Sequence, residues 1–190
     1  MKLCSECYNS RMSKNDELKK EMLQSMGDYV LANGLNAASL RPLAKAAGTS
    51  DRMLIYHFEN KQKLISELLT FLAKDLQTKL NDALPRRRAR SAKKLLLEII
   101  SLLRREPFSQ YMQLWLEIVS SASRGSEIHG TVGKDIIDGF RHWLIERLPD
   151  NGERHDDTLA LIFLAVEGSL LLDAIGQAEL SNKAIKNIFG

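Results

Sequence analysis

The sequence predicts an all-α protein: a three-helix N-terminal head joined by one long helix to a C-terminal helical bundle. Apolar residues recur at three- and four-residue spacing through nearly the whole chain, as amphipathic helices require. The four prolines stand singly and β-branched runs are scarce, so strands have little support. Capping residues and glycine stops fall where one apolar stripe ends and the next begins, so punctuation and periodicity agree.

Residues 1–14 have no periodicity and are expected to form a mobile arm carrying Lys2, Arg11 and Lys14. The arm holds both cysteines, Cys4 and Cys7. A lone C-x-x-C without a second pair or nearby histidines does not complete a tetrahedral zinc site, and no redox fold surrounds it. The pair reads as incidental, and no metal or cofactor is expected. With no apolar segment at the N-terminus long enough for a signal peptide, a reducing cytoplasm is the expected location.

Asn15 or Asp16 starts a first helix with Leu18, Met22, Met26, Tyr29 and Val30 on one stripe, stopped at Asn33-Gly34. Ser39 then caps a short helix in which Leu40, Leu43, Ala44 and Ala47 repeat, with Pro42 in the first turn, where a missing N–H costs nothing. Gly48 ends it. The chain restarts at Thr49-Ser50 with a helix of about two turns that closes near His57, and Asn60 caps the next one. A scaffold helix, a glycine turn and a short exposed helix are helix-turn-helix grammar, in which the second helix reads a DNA major groove.

Ser39, Leu40, Leu43-Ala44, Ala47-Gly48-Thr49-Ser50, Leu54, Tyr56-His57-Phe58 and Lys61 together resemble the DNA-binding domain of TetR-family transcriptional regulators. One position departs from that pattern: Ile55 stands where the family usually has a tyrosine, so a phosphate contact would shift to Tyr56 or be lost. The resemblance implies an all-helical, dimeric, ligand-responsive regulator, most often a repressor, bound to a palindromic operator in double-stranded DNA. Residues 15–61 would be the DNA-binding head and 62–190 the ligand-binding and dimerisation domain.

Within the head, Asp51, Arg52 and Met53 are the exposed positions of the recognition helix. Arg52 suits guanine O6 and N7 in a bidentate contact, and Asp51 suits the cytosine N4 donor; a surface Asp–Arg pair is the plainer reading. Ser39, Thr49, Tyr56, His57 and Lys61 carry donors for phosphate oxygens, Lys61 adding its charge at a helix N-terminus. His57 also reads as a packed histidine beside Phe58. Arg41 and Ser50 complete the expected DNA-contact residues.

From Asn60 the stripe Leu64, Ile65, Leu68, Leu69, Leu72, Leu76, Leu80 runs uninterrupted to Pro85, a rod of roughly 37 Å at about 1.5 Å per residue. The formal net charge is only +3, yet Arg86 to Arg105 holds eight basic residues against Glu98 alone. At the far end of the rod, Arg86-Arg87-Arg88-Ala89-Arg90 reads as a solvated interhelical loop, with a DNA or partner contact as the alternative. Leu95 to Leu103 predicts a central buried helix. Pro107 opens another, broken by the serine-rich run from Ser120 to Gly125, and a further helix carries Val132, Ile136, Phe140, Trp143, Leu144 and Leu148 up to Pro149.

Phe108, Tyr111, Trp115, Phe140, Trp143 and Phe163 are the candidates for lining an apolar effector pocket, with Glu117 or His142 supplying polarity; core packing is the plainer reading of each. Leu159 to Ile175 is the most apolar stretch, but Glu167 and Asp173 would each cost about 2.5 to 3.5 kcal/mol near a bilayer centre, so a buried helix and no membrane contact is expected. The resemblance places the dimer interface on residues 156–175 and 181–189, here Leu164, Gly168, Leu171 and Leu172, with Ser181 expected to cap the last helix. The four histidines make no H-x-x-x-H or E-x-x-H pattern, and neither a phosphate loop nor G-x-S-x-G is present, so catalysis has no signature. Two other classes compete: a helical small-molecule binder or enzyme that has kept the head without DNA binding, motivated by Ile55, and a basic scaffold for protein or RNA, motivated by the arginine run.

Overall fold

The computed structural model describes residues 14–84, 86–149 and 155–188. The cysteine pair, most of the expected arm, and Phe189 lie outside them. Helices account for the architecture of the described residues, which include no strand. The head consists of α1 (Lys14–Asn33), a 3-10 turn (Leu35–Ala37), α2 (Leu40–Ala46) and α3 (Asp51–Phe58). The body consists of α4 (Lys61–Ala83), α5 (Ala92–Leu103), α6 (Phe108–Ser123), α7 (Glu127–Ile145), α8 (His155–Ala174) and α9 (Ala178–Asn187).

Local chemistry explains most of these boundaries. Ser50, Asn60 and Ser91 each accept a hydrogen bond from the backbone N–H three residues on, capping α3, α4 and α5. Gly48 follows α2 with φ 65°, a left-handed conformation that glycine adopts without strain. Ser39 does occupy the N-cap position of α2, but its hydroxyl makes no capping bond.

The serine-rich run does not break α6 at Ser120. The helix continues to Ser123, whose hydroxyl bonds back to the Ser120 carbonyl at 2.9 Å, and the break falls at the end of the run, where Arg124 is the C-cap and Gly125 follows with φ 90°. Ser181 is not the cap of α9, which starts three residues earlier; it is buried, bonded to the Ala178 carbonyl and to Arg104. Leu148 lies beyond the end of α7, yet is completely buried.

The apolar core forms two clusters. The first joins Met26 and Val30 of α1, Leu43, Leu54, Phe58, and Leu64 and Leu68 of α4 to Tyr111, Leu114 and Ile118 of α6. The head is therefore built on α6 as well as on the rod. Gly27 lets α1 approach α4 closely, since a Cβ there would stand 3.0 Å from Leu72. The second cluster packs Leu80, Leu96, Ile99, Trp143, Leu144, Leu148, Ile162 and Ile185 at the other end of the molecule. There Arg147, 1% exposed, donates to the carbonyls of Leu84 and Trp143 and to Asn81, capping the C-terminal ends of α4 and α7 together.

The arginine run docks against this end. Arg86 pairs with Glu146, Arg88 donates to the Leu148 carbonyl at 3.0 Å, and the Ala89 N–H donates to the Arg147 carbonyl at 2.8 Å. Part of the run thus holds the loop to α7, while the Arg87 and Arg90 side chains are exposed. No described helix is long and apolar enough to cross a membrane. α8 buries Leu159, Ile162, Ala165 and Val166 against the body, but Leu161, Leu164, Leu171 and Ile175 stand exposed along its other side.

Candidate nucleic-acid interface and ligand cavity

Two completely buried residues one turn apart, Leu54 and Phe58, lock α3 onto the head. Helical geometry then sends the remaining face outward. Asp51, Arg52 and Met53 are all exposed in the first turn, and Tyr56 is 76% exposed one turn on. His57 is half-buried and meets the Tyr56 ring edge-on at 5.3 Å. Ile55 is half-buried, so the hydroxyl missing from that position has its nearest substitute in Tyr56. The Ser50 hydroxyl accepts from the Met53 N–H at 3.3 Å, which commits it to capping. Thr49 is half-buried and Ser39 exposed.

Arg41, Arg52 and Lys61 are exposed, and none takes part in an ion pair among the described residues. Lys45 shares these properties and went unnoticed in the sequence, although it lies four residues after Arg41 and so on the same face of α2. With Arg41, Thr49 and Asp51 it lines a groove between α2 and the start of α3. Lys63 differs: it pairs with Glu59, which lowers the Glu59 carboxyl and raises the Lys63 ammonium. Lys19 pairs with Glu67 at 2.6 Å and lies over the Phe58 ring, tying α1, α3 and α4 together.

The body contains a cavity of about 210 Å³ between α4, α6, α7 and α8. Of the six aromatic candidates, Trp115, Phe140 and Trp143 line it. Phe108 and Tyr111 are core: Phe108 is buried, and burial together with donation to Asp75 pushes the Tyr111 hydroxyl up. Phe163 packs edge-on against Phe140 at 5.4 Å and backs the wall without lining it. Trp143 stacks with Phe140 at 5.4 Å, and the Arg147 guanidinium lies over its ring at 4.2 Å.

Neither residue expected to supply polarity lines the cavity. His142 is exposed on α7. Glu117 faces the head, where its carboxylate accepts from the backbone N–H groups of Leu35 at 2.9 Å and Asn36 at 3.3 Å. Gly34 beside it has φ 81°, and a Cβ there would stand 2.8 Å from Glu117 Oε1, so only glycine fits this turn. The cavity's own carboxylate is Glu167 of α8, which is half-buried: the partial burial pushes its pKa up, against the bond it accepts from Trp115 Nε1 at 2.9 Å.

Residues 31–68, from the last turns of α1 through α2 and α3 into α4, match the family of bacterial regulatory proteins, tetR family. Over those residues the head is similar to that family. Solved structures extend the likeness to the whole chain. A transcriptional regulator of Rhodococcus sp. Rha1 superposes with a TM-score of 0.67 at 22% identity, over 89% of this chain and 92% of that one. A candidate transcriptional regulator of Streptomyces coelicolor A3(2) gives 0.67 at 19% identity, over 90% and 98%. A candidate TetR-family transcriptional regulator of Mesorhizobium loti MAFF303099 gives 0.65 at 17%, over 93% and 96%. At these identities the likeness establishes a common fold that includes the body as well as the head. No curated protein matched the chain.

Proposed function

We propose that the chain is a ligand-responsive transcriptional regulator that binds a palindromic operator as a homodimer and is released from it, as a repressor would be, by a small and largely apolar effector. The observation that carries this reading is the recognition helix: Leu54 and Phe58 anchor it from within, and Arg52 and Tyr56 are left free on its outer face. Arg52 reads a base edge, while Tyr56, Arg41, Lys45 and Lys61 hold phosphates.

Dimerisation would use the exposed side of α8. Leu164 is 71% and Leu171 60% exposed, and a Cβ on Gly168 between them would meet nothing within 4 Å. A second copy packed there covers an apolar surface that is costly to leave in water. The effector would occupy the cavity beside Trp115 and Trp143. Two routes would carry its effect to the head: α4, whose middle lines the cavity and whose first turn holds Lys61, and α6, where Trp115 lines the cavity and Glu117 holds the Leu35–Asn36 turn.

The experiment is a salt-dependent anisotropy titration on a palindrome selected from random duplexes. Arg52→Ala should weaken the preferred site by about 1–3 kcal/mol and blur one base position in each half-site. Lys61→Ala should weaken all sequences alike and flatten the salt dependence. Selection that returns no preferred duplex, with affinity indifferent to salt, would remove the proposal; reversal of the two variants' roles would remove the assignment of reader and anchor.

A further inference from the structure

Glu167 does not belong to the surface around it. The cavity wall is built from Leu76, Met112, Ile136, Val166, Leu170 and the rings of Trp115 and Phe140. Into this surface α8 carries a carboxylate that receives one hydrogen bond, from Trp115 Nε1 onto Oε2, while Oε1 accepts none among the described residues. None of the ion pairs among the described residues includes it. Glu167 is half-buried, and a charge partly withdrawn from water and left without a counter-ion costs stability. If its role were only to accept from the indole, a glutamine would do the same without the charge.

The other ionisable groups lining the cavity do not remove this imbalance. Lys74 and Asp135 are exposed and opposite in sign, so they offset each other in water. Arg147 does not line the cavity; it stands 4.2 Å over the Trp143 ring and its guanidinium donors go to the carbonyls of Leu84 and Trp143 and to Asn81. The interior thus presents one uncompensated negative group beside aromatic rings. Those are the two features that hold an organic cation: a carboxylate for the charge and ring surface for its weakly hydrated periphery.

We propose that the cavity selects a lipophilic monocation, a quaternary ammonium or protonated amine on a compact apolar body, with Glu167 as its counter-ion. This rests on the cavity being the effector site. It narrows the effector from any apolar molecule to one carrying a single positive charge, and it gives a reason for α8 to place a half-buried acid among apolar residues.

Three probes of similar shape separate charge from size: benzyltrimethylammonium, its neutral carbon isostere neopentylbenzene, and 4-tert-butylbenzoate. Each is titrated into the full-length protein and into Glu167→Gln and Asp135→Asn, with fluorescence of the cavity tryptophans Trp115 and Trp143 as readout and circular dichroism as the check on folding. Benzyltrimethylammonium should bind about 10-fold tighter than neopentylbenzene, and the benzoate more weakly than either. In Glu167→Gln the cation's advantage should disappear while neopentylbenzene binds as well or better; in Asp135→Asn the advantage should persist.

Equal affinity for the cation and its isostere, an advantage that survives Glu167→Gln, or one abolished by Asp135→Asn would overturn the assignment. The first outcome would leave the cavity a neutral-ligand site; the other two would take the counter-ion role away from Glu167. Failure of all three probes to bind the folded protein would overturn the effector-cavity reading itself, and the cation with it. Should Glu167→Gln fail to fold, Trp115→Phe provides the second test: it removes the indole donor and should leave the cation's advantage in place.

Discussion

Glu117→Ala should release the Leu35–Asn36 turn from α6 while leaving the apolar packing of the head on α6 in place. The carboxylate accepts from Leu35 N at 2.9 Å and from Asn36 N at 3.3 Å, and alanine removes both bonds. Hydrogen bonds to a charged acceptor contribute about 1.5–3 kcal/mol each. The second is long and Asn36 is exposed, so water replaces part of what is lost, and about 2 kcal/mol for the pair is the reasonable figure. Amide hydrogen exchange at Leu35 and Asn36 reads that quantity directly, and protection there should fall about 30-fold. Amides of α5 and α8, which do not touch the turn, should keep theirs. Glu117→Gln retains a neutral acceptor and should fall between wild type and alanine. Gly34→Ala should imitate the loss from the other side, because its methyl would stand 2.8 Å from Glu117 Oε1 at a φ of 81°. Unchanged exchange at Leu35 and Asn36 in Glu117→Ala, or a loss spread evenly over the whole protein, would refute the clamp.

Two further outcomes follow from α8. Leu164→Glu and Gly168→Trp should each raise the dimer dissociation constant at least about 10-fold, a change of about 1.4 kcal/mol. Both side chains point into open space within one subunit, so thermal unfolding of the monomer should be unaffected. Sedimentation showing wild type as a well-folded monomer at micromolar concentration would end the dimer proposal. Glu167→Gln should stabilise the protein at neutral pH. Burial raises the folded-state pKa of Glu167 above its ordinary value, so above the unfolded pKa the native state binds more protons than the unfolded one, and stability declines as pH rises through that window. Glutamine abolishes the decline. Equal pH slopes for the two proteins in urea melts between pH 4 and 8 would contradict it.

The sequence disclosed what depends on local chemistry and concealed what depends on partners far along the chain. The head was legible because Ser50, Gly48 and Asn60 each act on the backbone within a few residues of themselves, and because the stripe from Leu64 to Leu80 is long enough to have one period. The six aromatics were harder. Periodicity shows that a face is buried, but whether the ring meets a cavity or a packed neighbour depends on the opposing helix, so Trp115 and Phe140 fell on one side and Phe108 and Tyr111 on the other. The place of Glu117 is not legible in the sequence because its partners are backbone N–H groups 81 and 82 residues away, which carry no side-chain signature. Glu167 was noticed only as an obstacle to membrane insertion. The pattern that would have placed it was available, since it lies three to four residues from both Phe163 and Leu170 on α8, between the face that packs on the body and the face that stands exposed.

The clamp also bears on how an effector would move the head. A lone rod attached at Lys61 could tilt while the head swivelled about its end, and in the proposed dimer two recognition helices set for major grooves about 34 Å apart would not be displaced by a defined amount. The head is held at a second point, the Leu35–Asn36 turn, by a helix that also lines the cavity. The Tyr111 hydroxyl on Asp75 fastens that helix to the rod beside the cavity. Two attachments on different helices define an axis, so a ligand that changes the spacing of α4 and α6 would rotate the head instead of merely loosening it. A coupling of about 1–3 kcal/mol suffices for a 5- to 150-fold change in operator affinity, and operator DNA must weaken the ligand by the same factor. Glu117→Ala, which leaves the cavity wall intact, should therefore lower that factor in both directions while sparing ligand affinity for the free protein.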